Sequence, residues 1–195
     1  MSDDQHTVLR SMHDLGLAAW FGGNLMGAVG VNGAASAAAD PNERTRLSSV
    51  GWGKWWPVQA AAIGAHLVGS VGMLRADRGR VAVHREARVN TVAKTALTVA
   101  ALGTSVASGV LGAKVAQGSP SPASTATDPS AATPSGVATA QRGLKPLQWI
   151  NPALTGALIV LAAQQGEQQR TSSLLRGALG QVWLDTKAAA LRGVR

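Results

Sequence analysis

Cysteine is absent from this chain of 195 residues, and so is tyrosine. Without a thiol there is no disulfide, no thiolate metal centre and no cysteine nucleophile. Charge is scarce too: Asp, Glu, Lys and Arg make up 14% of the residues, where a soluble domain carries about 25%. The scarcity is concentrated. Leu15 to Ala39, Trp55 to Leu74, Thr95 to Ala113 and Leu147 to Gln165 hold no charged side chain at all, and each is close to the roughly 20 residues a helix needs to cross about 30 Å of hydrocarbon. The fold class they predict is all-α, a polytopic membrane protein with four transmembrane helices in a bundle. A mean hydropathy of only +0.09 keeps a soluble, Ala- and Gly-rich helical domain as the competing reading. That fold would have to bury three helices on every side, because none of the first three stretches shows a polar stripe.

Acidic residues are missing from all four stretches, which disfavours proton or cation pumps that place a carboxylate at the midplane. There is no phosphate-binding glycine loop, no zinc-spaced histidine pair and no nucleophile elbow. The chain therefore reads as a non-enzyme, with no cofactor and no resident metal expected. A net charge of +8 would suggest nucleic acid in a soluble protein. Here the threading accounts for it, and the partners expected are membrane lipid, a membrane protein or a second copy, not nucleic acid.

What is present sets the orientation. With four spans, one side collects Arg10, then Arg75, Arg78, Arg80, Arg85, Arg88 and Lys94, then Arg170, Arg176, Lys187, Arg192 and Arg195. The other side has half as many: Arg44, Arg46, Lys54, Lys114, Arg142 and Lys145. The positive-inside rule places both termini in the cytoplasm of a multi-pass plasma-membrane protein. Trp52, Trp55, Trp56 and Trp149 then gather at the outer interface, where amphipathic rings are best placed. Arginine in excess of lysine, with abundant Ala and Gly, suits a bacterium of high genomic GC content.

The organisation expected along the chain is a cytoplasmic segment 1–14, three spans within 15–113 joined by a basic cytoplasmic loop 75–94, an extracytoplasmic linker 114–146, a fourth span 147–165 and a cytoplasmic tail 166–195. The polar, acidic start up to Asp14, followed by so long an apolar stretch, reads as an anchor and not as a cleavable signal. From Gly118 to Thr139 the linker is almost wholly Gly, Ser, Pro, Thr and Ala, a composition predicted to stay flexible and disordered. Pro152 falls in the expected first turn of span four, where a missing N–H costs little. In the tail, Leu175, Leu179, Val182 and Trp183 share one helical face, as in a helix lying on the inner leaflet or docking a partner.

Packing in lipid favours small residues four apart. Ala96, Ala100, Thr104, Ser108 and Gly112 make a five-member stripe predicted to carry a neighbouring helix. Ala19, Gly23 and Gly27 form a second stripe, and Ala61, Ala65 and Gly69 a third.

The polar candidates at membrane depth are Asn24, His66, Met26 and His13. Counted from the inner ends of their stretches, Asn24 and His66 lie at similar depth, about 12 to 14 Å in. A hydrogen bond between them is the structural expectation. A proton, metal or haem on His66 is the functional one, with Met26 near enough to assist a soft metal. His13, just before span one, counts as roughly 15 Å shallower than His66, so one haem is not expected to use both. His6 and His84 fall in cytoplasmic segments, His84 among arginines.

The run His13, six residues, Trp20, Phe21, Gly22, Gly23 resembles the first-helix pattern of the CopD-like copper-resistance membrane proteins, with His13 as the position carried over. That resemblance covers about eleven residues and implies copper handling across the membrane. The chain departs from the pattern in having no cysteine, fewer spans and no second His and Met cluster at that depth. The function expected from the residues is a non-catalytic accessory or scaffolding subunit. The alternative is a small transporter or metal-handling protein centred on His66.

Overall fold

The computed structural model describes residues 3–83 and 85–192. Its elements are all helical: α1 (Asp3–Met26), a π-helical turn (Gly27–Val31), α2 (Asn32–Ser36), α3 (Pro41–Val83), α4 (Arg85–Gln117) and α5 (Ser135–Arg192). No strand occurs among the described residues; Ala123 and Pro129 make one isolated antiparallel bridge. The chain divides into two units, Met1–Ile159 and Val160–Arg195. The first holds the bundle, and the described part of the second is the C-terminal stretch of α5.

Three helices carry segments long and apolar enough to cross a membrane: Pro41–Ala76, Ala87–Gln117 and Ser135–Gln164. Their apolar surface points outward. In the most apolar window of the α4 segment only 11% of residues are buried inside the protein, and Val68, Val71, Val99, Val106, Val110 and Val160 all stand exposed. Exposed aliphatic side chains along three helices of membrane-crossing length make lipid the solvent that fits. α1 falls outside this group because charge fills its first half and the π turn interrupts the apolar second half.

α3, α4 and α5 extend past the charge-free stretches. α3 starts sharply: Asp40 Oδ1 accepts the Asn42 backbone N–H at 2.9 Å, Pro41 takes the position that needs no donor, and Glu43 lies in the first turn. α5 begins twelve residues before the expected fourth span, so Pro146 and Pro152 are interior. The first-turn placement of Pro152 is thereby corrected.

α1 and α3 pack antiparallel, and glycine sets their separation. A Cβ on Gly16 would lie 2.5 Å from the Ala62 carbonyl oxygen, and one on Gly69 would lie 2.5 Å from both the Leu9 oxygen and the His13 nitrogen. Gly23 lies against the Trp55 ring and Gly27 against Trp52. In this register Leu15 is level with the His66 turn, not with Leu74. The two apolar stretches are therefore staggered by about nine residues, or ~13 Å.

The segment between α4 and α5 is folded, not the disordered linker its composition predicts. Arg44 donates to the carbonyls of Ala38 (3.0 Å), Ala123 (3.1 Å) and Ser124 (2.8 Å). Thr45 donates to the Ser121 carbonyl at 2.9 Å and accepts its N–H at 3.0 Å. Ser36 accepts the Ala126 N–H, Gln141 donates to the Ala126 carbonyl, and Lys145 pairs with Asp128 at 2.6 Å. Ala123 and Ala126 are buried as a result. Hydrogen bonds supplied by the helices offset the ordering entropy that apolar burial alone does not cover.

Candidate functional site

Polar side chains at depth join α1 to α4 and α5 through Trp20, Ser105 and Asn151, and α1 to α3 through His13 and His66. Trp20, wholly buried at 0% exposure, packs with Leu17, Ala101 and Leu158 in the core of the bundle. Its indole N–H donates to Ser105 Oγ at 3.1 Å. Asn151 on α5 donates to the same oxygen at 2.6 Å and to Thr104 Oγ1 at 3.2 Å. Three helices thus meet on one serine. Asn151 Oδ1 is buried with no hydrogen-bond partner.

Asn24 does not reach His66. Its amide donates to the Trp20 carbonyl one turn earlier, at 2.7 Å, which satisfies it within α1. Met26 is 65% exposed and curls back towards Gly30, so it offers no sulfur to His66. Both expectations fail for one reason. They assumed that the two apolar stretches share their inner ends, and the stagger removes that assumption.

The same stagger brings together two residues that depth counting separates. The His13 and His66 rings lie 4.5 Å apart between centroids, tilted by 41°, with Trp20 edge-on to His66 at 5.9 Å. Both histidines are buried. His13 Nδ1 donates to Asp14 Oδ1 at 2.7 Å, and Asp14 lies 3.8 Å from Arg10. His66 Nδ1 faces the His13 carbonyl at 3.4 Å, and its Nε2 is 3.5 Å from the Ser70 hydroxyl. The sequence carries a signal for this pairing: His13-x-x-Gly16 and His66-x-x-Gly69 are the same pattern on two antiparallel helices.

The five-member stripe on α4 does not form the seam. Ala96 and Ala100 are exposed, and nothing lies within 4 Å of a Cβ on Gly112. Thr104 and Ser108 are half-buried, and the buried line runs through Ala101 and Ser105 one position round the helix. Burial of Ser105 decides the face, because its oxygen is the acceptor that Trp20 and Asn151 need. A second polar knot lies beyond the π turn, where Asn32 Oδ1 accepts from Ser48 and Trp52 at 2.9 Å each and its amide donates to Gln148 at 2.9 Å. Composition had flagged none of these residues as a contact. His84 and the side chains of Leu175, Leu179, Val182 and Trp183 lie outside the described residues.

Among the described residues no group of three His, Asp or Glu side chains is placed to hold a metal ion. Comparison with protein-family models, curated proteins and solved structures returned no match to the chain.

Proposed function

We propose that the protein is a non-catalytic accessory or scaffolding subunit of a bacterial plasma membrane. In this reading α1 and the π turn supply a fourth crossing segment, and both termini face the cytoplasm. The observation that carries it is how the buried polar groups are spent. Trp20, Ser105 and Asn151, and then Asn32, Ser48, Trp52 and Gln148, use their hydrogen bonds to join helix to helix. Such bonds fix one arrangement of helices in lipid. The apolar exterior of α4 and the folded segment 118–134 offer surfaces for lipid and for a partner protein or a second copy.

A tagged copy expressed at native level, extracted in mild detergent and analysed by mass spectrometry tests this. A stoichiometric co-purifying membrane protein is expected. A clean single species would remove the accessory reading.

One observation favours a second reading, a small transporter or metal-handling protein centred on His66: the contact between the His66 and His13 rings. Stoichiometric metal in the pure protein, lost on substitution of His66, would establish it over the scaffold.

A further inference from the structure

We propose that His13 and His66 are the two protein ligands of an exchangeable site for a divalent transition-metal ion of the zinc class, held between α1 and α3. The proposal deepens the second reading above. It rests on that reading for what the ion is used for, but not for whether it binds.

The tautomers carry the argument. Asp14 Oδ1, as a carboxylate, only accepts, so the His13 nitrogen 2.7 Å away, Nδ1, holds the proton. The His13 carbonyl also only accepts, so His66 Nδ1, facing it at 3.4 Å, holds the second. Each neutral ring then has its acceptor lone pair on Nε2, and that of His66 faces the Ser70 hydroxyl at 3.5 Å. Two rings 4.5 Å apart, each offering an acceptor and neither a donor, gain nothing from each other. A cation satisfies both. An Nδ1–H tied to a carboxylate or a backbone carbonyl, with Nε2 as the ligating atom, is also the outer-shell arrangement that orients metal-binding histidines.

The backbone is built for the approach. Gly16 lies against His66 and Gly69 against His13, so each histidine sits over the glycine that follows the other by one turn. This local two-fold brings the helices close where the rings are. The donor set selects the ion class. It is imidazole nitrogen with no thiolate in the chain and Met26 turned away, which suits borderline divalent ions over soft cuprous copper. With no third His, Asp or Glu in the group, the remaining positions fall to water, an anion or the Ser70 hydroxyl. With two protein ligands in place of the closed four of a structural zinc centre, the site exchanges its ion.

Zinc binding to the full-length protein in detergent, followed by calorimetry and by metal analysis after dialysis, tests the site. Wild type and His6→Ala are expected to bind one zinc per chain. His13→Gln and His66→Gln should lose it while keeping their melting temperature, and Asp14→Asn should weaken it 10- to 100-fold. Absence of zinc from wild type, or its retention in both Gln variants, overturns the site. Should the Gln variants fail to fold, imidazole 15N shifts of wild type decide: two histidines moving on zinc addition supports it, and none moving overturns it. Zinc bound without flux into proteoliposomes would remove transport and leave the site standing.

Discussion

At the residue scale, Ser105 is the side chain on which most depends. A hydroxyl in the middle of an apolar helix is unremarkable in sequence, and it gains its weight only from the Trp20 and Asn151 donors that converge on it. Ser105→Ala strips both at once and leaves an indole N–H buried without an acceptor. Hydrogen bonds between helices in lipid average about 0.6 kcal/mol and reach ~1.7, so a loss of roughly 1–2 kcal/mol is expected, read as a lower midpoint of thermal unfolding in detergent. An unchanged midpoint would mean that the three helices do not meet there. The histidines teach the converse lesson. Their residue types marked them as candidates, but a depth count from the ends of apolar runs set them apart, because such a count takes for granted that neighbouring runs are in register.

At the scale of the element, glycine separates helix faces that composition blurs. A chain with 23 glycines produces small-xxx-small patterns in several registers, and only the ones a neighbour occupies matter. Gly16→Leu places a side chain into the α3 backbone at Ala62 and His66, and overpacking of this kind should cost about 3 kcal/mol. Ala100→Leu, on the exposed face of α4, should be close to neutral in the same melt. The reverse order of effects would restore the five-member stripe as the seam. Segment 118–134 yields a matching prediction. Arg44→Ala leaves the carbonyls of Ala38, Ala123 and Ser124 without their shared donor, and a local cost of ~1.4 kcal/mol is a tenfold shift in equilibrium. Limited proteolysis near Ser124 should therefore run about tenfold faster than in wild type while the helices survive; an unchanged rate would show that the guanidinium does not hold the segment.

For the whole molecule the question is threading, and the absence of cysteine makes it testable without background. Single cysteines at Ala131, Asp4 and Arg78 should divide into one reached by an impermeable maleimide from outside and two reached only after permeabilisation. If Asp4 labels from outside with Ala131, α1 does not cross and the bundle has three spans. The stagger of α1 against α3 gives this measurement its interest, since it sets the alanine-rich stretch 34–39 beside the start of α3, next to the folded segment that Ser36 and Arg44 hold.

Some of this was decided by sequence alone. The lack of charge over four long runs and the distribution of arginine are properties of composition against a solvent, and they require no partner to be known. They were enough to expect helices, a membrane and a bundle, and the structure places three membrane-length apolar helices in an all-helical chain. Register, the buried face of α4, the folding of segment 118–134 and the meeting of His13 with His66 were decided by tertiary contact. Each depends on which backbones approach closely, and that is set by a few glycines and by hydrogen bonds between residues up to 116 positions apart, as in Asn32 to Gln148. A pattern read along one helix carries the period of that helix but not the offset of its neighbour, and in this protein the offset is what brings His13 against His66.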